Sequence, residues 1–278
     1  MRDDLAAAAA TLADAGIDTA RADAEWLLAG LLGVGRAALG LGLDGPLDAE
    51  TARRYDAVVR RRAAREPLQR ILGWEGFRGL RLSVTPDVLV PRPETETLVD
   101  WALALAPAPR LAVDVGTGSG CIACSIAVER PSACVVAIDD SSTAAAAART
   151  NVDALRLGDR VAVVRGDLLE ALGRARVDLI VANLPYLPTT ILPMLAPEVA
   201  RHEPPTALDG GVDGLRLIRR LIATARPRLS AGGVLVLETA GGTQAPVVVE
   251  LMRAAGFTGV ATRSDLLGVE RFVAGRSG

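Results

Sequence analysis

The sequence predicts an α/β protein: a doubly wound, mainly parallel sheet preceded by a small helical domain and a linking β-hairpin. Three observations predict it. From Leu111 onward, short apolar runs alternate with segments long enough for crossover helices. The first run closes on Asp114-Val115-Gly116-Thr117-Gly118-Ser119-Gly120, a glycine-rich passage from strand to helix of the kind that lets a ligand approach the main chain. Hydrophobic residues make up 50% of the chain and aromatics only 3%, so the apolar content is Ala, Val and Leu, which suits buried parallel strands and the helices that cover them.

Residues 1–70 read as a helical domain. Leu5 to Ala15 is Ala-rich and stops at Gly16; Thr19 can cap a helix over Ala20 to Leu32; Asp48 can cap a third, Ala49 to Arg65, that ends before Pro67. Residues 71–90 read as a hairpin linker, with strands at Ile71 to Phe77 and Leu80 to Val84 around Gly76 and Gly79. Residues 91–278 form the third region. Val88 to Thr97 is expected to be extended, stiffened by Pro91 and Pro93, before a helix through Trp101. Parallel strands are expected at Leu111–Val115, Cys134–Ile138, Arg160–Arg165, Val177–Ala182 and Gly233–Glu238. The tail, Gly256 to Arg263 and Glu270 to Ala274, supplies two more strands that could pair antiparallel at one edge.

Composition narrows the function classes. The basic residues are all arginine, and the formal net charge is −2, which argues against a general nucleic-acid binder. The local cluster Arg60, Arg61, Arg62, Arg65 and Arg70 reads as a solvated helix face. Cys121, Cys124 and Cys134 make no disulfide framework; the first two have C-x-x-C spacing without a second pair or a nearby His, so they read as packing residues and no metal is expected. The longest apolar run, Trp26 to Leu43, is broken by Gly30, Gly33, Gly35 and Arg36, so a soluble, cytoplasmic protein without a membrane span is expected. His202, the lone histidine, reads as a loop residue rather than a general base.

The glycine spacing is G-x-G-x-G, with an acid, Asp114, two residues before Gly116. A dinucleotide fingerprint would place its third glycine one position later and a pyrophosphate at the helix N-terminus. The acid suits a cationic, phosphate-free ligand, and S-adenosylmethionine is one. Asp139 ends the next strand where a ribose-binding carboxylate belongs, with Asp140 as a second choice. Asp167, beside Leu168 after the third strand, could accept from the adenine amino group. Asp114, Gly116, Thr117, Gly118, Ser119, Gly120, Asp139, Asp167, Leu168 and Asn183 are therefore the expected cofactor residues.

After the fourth strand comes Asn183-Leu184-Pro185-Tyr186. A carboxamide nitrogen is a poor nucleophile, because its lone pair is delocalised into the carbonyl. An asparagine oxygen and a main-chain carbonyl that accept its two N–H bonds would fix it and favour the lone pair turning toward a methyl donor. Positioning and hydrogen-bond acceptance can then supply most of the catalysis.

With this motif, Pro91-Arg92-Pro93-Glu94-Thr95, the glycine loop and the stretch Glu203 to Leu215 (EPPTALDGGVDGL), the chain resembles the HemK/PrmC-type protein glutamine methyltransferases over nearly its whole length. The resemblance implies a seven-stranded Rossmann-like S-adenosylmethionine-dependent methyltransferase domain behind a substrate-docking helical domain. It also implies methylation of the glutamine in the Gly-Gly-Gln motif of peptide chain release factors. A monomer is expected because no extra exposed apolar stripe is visible, and the charge balance leaves no direct nucleic-acid contact expected. Asn183, Leu184, Pro185 and Tyr186 would be the catalytic residues, and would hold the glutamine together with Arg92, Pro93 and Glu94. Departures from the family pattern are Leu184 for Pro in the motif, Asp140 for an apolar residue, His202 for Phe, and Thr239-Ala240 after Glu238. Other readings of the same motif are glutamine methylation of a ribosomal protein, adenine-N6 methylation of DNA, which the charge balance opposes, and a cofactor binder that has lost catalysis.

Overall fold

The computed structural model describes residues 1–41 and 45–278. The end of the apolar run from Trp26, residues 42–44, lies outside the described residues. The chain divides into two compact units, one of Met1–Trp74 with Ala196–His202, the other of Glu75–Leu195 with Glu203–Gly278.

The first unit contains α1 (Arg2–Asp14), α2 (Ala20–Leu32), α3 (Ala49–Ala63), α4 (Leu68–Leu72) and, from later in the chain, α8 (Pro197–Ala200). Leu12, Leu27, Leu28 and Tyr55 are the large side chains at its centre, and the Tyr55 hydroxyl donates to the Ala24 carbonyl at 2.8 Å. Asp48 caps α3 by accepting from the Glu50 and Thr51 N–H groups at 3.0 and 2.9 Å, an arrangement worth about 1 kcal/mol. Thr19 precedes α2 without a side-chain cap bond, because its backbone (φ −95°, ψ 22°) has left the extended region that capping needs. The strand expected from Ile71 begins only at Trp74. Leu68–Leu72 instead turns helical after Pro67 and is closed by Gly73 at φ 77°. A five-residue run with two apolar neighbours fits either structure, and the left-handed glycine decides it.

The hairpin of β1 (Trp74–Phe77) and β2 (Leu80–Ser83) follows, and the second unit begins within β1 at Glu75. Arg78 and Gly79 both have positive φ, 49° and 76°, as a two-residue turn matched to strand twist demands. Then follow α5 (Pro93–Leu105), β3 (Leu111–Val115), α6 (Cys121–Glu129), β4 (Cys134–Asp139), α7 (Ser142–Ala154), β5 (Val161–Arg165), β6 (Val177–Ala182), α9 (Arg216–Ala225), β7 (Leu229–Glu238), α10 (Gln244–Ala254), β8 (Phe257–Ser264) and β9 (Glu270–Ser277). Residues Pro93 to Thr97, expected to be extended, are already helical: Pro93 sits at the first helical position, where its fixed φ is an advantage and its missing N–H costs nothing.

Among the described residues, seven strands form one sheet in the order β5-β4-β3-β6-β7-β9-β8. The pairs from β5 to β7 are parallel, and β9 runs antiparallel between β7 and β8. Helices cover both faces. On α9 the residues Ile218, Leu221, Ile222 and Ala225 recur at helical spacing and are buried; α6 buries six consecutive residues, Ile122 to Ala127. Successive strands run outward from β3 on both sides, so the carboxyl ends of β3, β4 and β6 flank a crevice at the topological switch point, the standard ligand position in an open sheet.

Candidate active site

The loop after β3 is built around Asp114, which is fully buried. Its Oδ2 accepts from the Thr117 hydroxyl at 2.6 Å and from the Ala123 N–H at 3.1 Å, tying the loop to the first turn of α6. Its Oδ1 is buried without a hydrogen-bond partner. Burial raises this carboxyl to about 7, against the pull of those two donors. Gly116 has φ 73°, and a Cβ there would lie 2.9 Å from Leu184 Cδ2 and 3.8 Å from the Asn183 carbonyl oxygen. The glycine loop and the motif after β6 therefore press against each other. Gly118, at φ 53°, meets nothing in that direction and lines an open cavity.

That cavity is lined by Gly116, Thr117, Gly118 and Ser119 together with Pro91, Arg92, Thr95, Asn183 and Pro185. It adjoins a larger cleft of about 520 Å³ lined by Asp139, Asp140, Asp167, Leu168, Leu184 and Arg220 among others. Asp139 accepts from the Gly118 N–H at 2.9 Å and the Ser141 N–H at 3.0 Å, while burial pushes its carboxyl above the usual range. Asp167 is ion-paired to Arg220 at 2.6 Å, and Leu168 beside it has φ 50°. Asp114 and Gly120 stand behind this wall. Gly120 lets the loop approach Ala148 on α7, 3.3 Å from where a Cβ would be.

The motif after β6 divides its labour. The Asn183 amide nitrogen donates to the Thr95 hydroxyl at 3.1 Å. Leu184 is buried. Tyr186 directs its hydroxyl to Glu238 Oε1 at 3.2 Å, and its carbonyl accepts from Gln244 Nε2 at 2.8 Å. Thr95 in turn donates to Glu238 Oε2 at 2.8 Å. Glu238, at the end of β7, is fully buried, and burial raises it to about 7. Burial and the neighbouring Glu238 charge also raise the Tyr186 phenol.

Arg92 reaches the cavity and pairs with buried Glu203 at 3.2 Å. Pro93 opens α5, and Glu94 follows it in the first turn. The stretch from Glu203 braces the motif from behind. The Leu187 N–H donates to the Leu208 carbonyl at 3.0 Å, the Gly210 N–H to the Leu187 carbonyl at 2.8 Å, and Gln244 bridges the Tyr186 and Asp213 carbonyls. Thr206 and Ala207 reach the cavity. Thr95 and Glu238 are the residues that sequence reasoning missed. Each had a signal: Thr95 closes the Pro91–Thr95 motif, and Glu238 is an acid at a strand's carboxyl end, like Asp139.

Burial pushes the Cys121 and Cys124 thiols up to about 12, so both stay protonated; Cys124 is a buried packing group and Cys121 lines the cavity. Among the described residues no group of three His, Cys, Asp or Glu side chains could hold a metal ion, and no helix is long and apolar enough to cross a membrane.

Residues 4–73 match the family described as PrmC N-terminal domain, and residues 96–190 match the methyltransferase small domain. A release factor glutamine methyltransferase of Geobacter sulfurreducens is 45% identical over 267 residues, 96% of this chain and 93% of that protein. One from Mycolicibacterium smegmatis is 42% identical over 275 residues, covering 98% and 96%. Among solved structures, the hMettl16 catalytic domain in complex with a 3′UTR hairpin superposes with a TM-score of 0.60 at 18% identity, covering 85% of this chain and 86% of that one. A methyltransferase from Pyrococcus furiosus gives 0.54 at 20% identity, covering 72% and 90%. At such identities these structures speak for the fold alone.

Proposed function

The chain belongs to the release factor glutamine methyltransferase family, and on that premise we propose that it transfers a methyl group from S-adenosylmethionine to the side-chain amide nitrogen of the glutamine in the Gly-Gly-Gln motif of peptide chain release factors. The observation that carries this reading is the placement of the Asn183 amide, held by Thr95, on the wall of the same cavity as Gly116 and Gly118.

The wall chemistry fits the cofactor. Asp139 and Asp140 line the crevice, which disfavours a pyrophosphate and suits a ribose and a cationic amino-acid tail. Once ionised, above about pH 7, Asp114 with its unpartnered buried oxygen adds negative potential under the glycine loop. Gly118 leaves open the space that any Cβ would enter. On this reading Gly116, Thr117, Gly118 and Ser119 cradle the amino-acid end, Asp139 takes the ribose hydroxyls, and the Asp167–Leu168 turn borders the adenine. When bound, S-adenosylmethionine supplies an electrophilic methyl on a sulfonium.

The protein's own task is to present the nitrogen. Asn183 Oδ1 and the Leu184 carbonyl accept the two N–H bonds of the glutamine amide, which restrains its rotation and places its nitrogen toward the methyl. Leu184 can do this as well as proline, because the acceptor is main chain; its side chain packs beneath Gly116. Tyr186 and Glu238 back the asparagine. Arg92, paired to Glu203, lines the same cavity as the glycine loop. The surplus proton is lost after transfer, so no strong base is needed.

The test mixes the purified protein with methyl-labelled cofactor and, separately, a release factor, the same factor with the motif glutamine replaced by alanine, ribosomal proteins, and DNA. Label on the intact release factor alone is the expected result. Label on the alanine factor, on ribosomal protein only, or on DNA only would overturn the assignment.

A further inference from the structure

We propose that Glu238 and Thr95 are positioning residues that decide which end of the Asn183 amide faces the substrate. The inference rests on the reading just given and goes beyond it, because neither residue touches the reacting atoms.

Hydrogen-bond polarity sets the orientation. An asparagine amide is nearly symmetric in shape, so packing alone holds its two orientations about equally well, yet they are opposite in chemistry. With Oδ1 toward the glutamine amide it accepts an N–H; with Nδ2 there, two donors collide and the nitrogen is pushed away. The structure contains a chain that breaks this symmetry. An ionised carboxylate can only accept. Thr95 must therefore give its single hydroxyl proton to Glu238 Oε2, 2.8 Å away. The threonine oxygen is left with only lone pairs for Asn183, so it takes the Nδ2–H at 3.1 Å, and Oδ1 is turned the other way. Tyr186 donates to Oε1 of the same carboxylate at 3.2 Å, which keeps it in place. Thr95 and Tyr186, far apart in sequence, thus meet on one buried acid, and Asn183 joins them through Thr95.

The same chain is pH-sensitive. Thr95 and Glu94 on α5, Tyr186 after β6 and Arg271 on β9 are the polar and charged groups that bear on Glu238. Arg271 is itself paired with Asp265 at 3.0 Å. Burial dominates this balance and brings the ionisation of Glu238 up to about 7. A protonated Glu238 can donate to Thr95, whose own proton is then free to seek Asn183 Oδ1. The amide flips, and the acceptor is lost from the site. Activity should fall as pH drops through about 7, because the ionised form is the competent one.

The experiment uses the full-length protein with S-adenosylmethionine and a release factor, and compares wild type with Glu238→Gln, Thr95→Val and Thr95→Ser. Glutamine at 238 can donate to Thr95 and so frees the polarity; valine at 95 removes the relay. Both are expected to lower kcat by roughly 10- to 100-fold, with the Kd for S-adenosylmethionine and the KM for release factor within about threefold of wild type. Thr95→Ser should recover kcat to within about threefold, since it keeps the hydroxyl. Below its apparent pKa the wild-type kcat should fall about tenfold per pH unit, and that dependence should vanish in Glu238→Gln. Should Glu238→Gln lack a cooperative melting transition, Thr95→Val, which removes one hydroxyl and keeps the shape, decides alone. Wild-type kcat in the folded variants, or cofactor affinity lost in parallel with kcat, overturns this proposal and leaves the assigned reaction standing. A wild-type protein that methylates no release factor overturns the reaction and this proposal with it.

Discussion

In the helical unit, buried Arg62 meets Asp23 at 2.7 Å and Glu198 at 2.9 Å, whereas in the α/β unit buried Glu238 accepts from two hydroxyls and buried Asp114 leaves one oxygen without a partner. The first cluster sets a guanidinium between two carboxylates. The second bonds its acids to hydroxyls and a main-chain N–H rather than to a guanidinium; burial outweighs the field of Arg271 on Glu238 and carries both acids to about 7. Paired buried charge holds a structure together and resists loss of a partner. Unpaired buried carboxylates raise the cost of the folded charged state, and proteins keep them where a field or a proton-linked orientation serves a site. The difference teaches which polar core is scaffold and which is machinery.

Substitutions can break or sharpen this contrast. Arg62→Ala strands Asp23 and leaves Glu198 to Arg65 alone, and should destabilise the protein by about 3–5 kcal/mol in denaturant unfolding; a loss within experimental error would remove the scaffold reading. Asp114→Asn removes a charge from the α/β unit and should act in the opposite sense as pH rises. The folded carboxyl binds its proton more tightly than the unfolded one, so its stabilising contribution is complete below the ordinary value of 3.8 and is lost as pH climbs toward about 7. Wild type should therefore lose melting temperature relative to Asp114→Asn between pH 4 and pH 8. Parallel curves would show that the acid is not held in its protonated form.

Two smaller effects probe the wall itself. Gly116→Ala puts a Cβ 2.9 Å from Leu184 Cδ2 at a left-handed φ, and should weaken S-adenosylmethionine binding about tenfold by calorimetry. Leu184→Met keeps the main-chain acceptor and nearly the same volume. Its transfer rate should stay within about twofold of wild type, with a stability loss below about 1.5 kcal/mol; a large rate loss would mean that the side chain acts at the reacting centre.

The parallel strands were legible because each is a short apolar run bounded by turn residues, and so was the cavity, since Gly116, Gly118, Asp139 and Asn183 all follow strand ends. The helical turn Leu68–Leu72 was not, because Ile71 and Leu72 carry no period in so short a run. Nor was the start of α5, where proline rigidity resembles an extended segment until the first helical turn forms on it. The Glu238–Thr95–Asn183 chain was invisible for a deeper reason. Thr95 and Glu238 lie 143 positions apart, and no local pattern records a bond that exists only once β7, β6 and α5 are assembled. The brace of Gln244 on the Tyr186 carbonyl has the same origin.

Asn183 is where these lines converge. The decisive measurement is single-turnover methyl transfer to a release factor by Asn183→Ala at saturating S-adenosylmethionine, with cofactor affinity determined on the same preparation. Loss of an acceptor aimed at the reacting amide predicts a rate lower by about 10²- to 10³-fold, with cofactor affinity close to wild type. A variant that turned over at the wild-type rate would contradict the account.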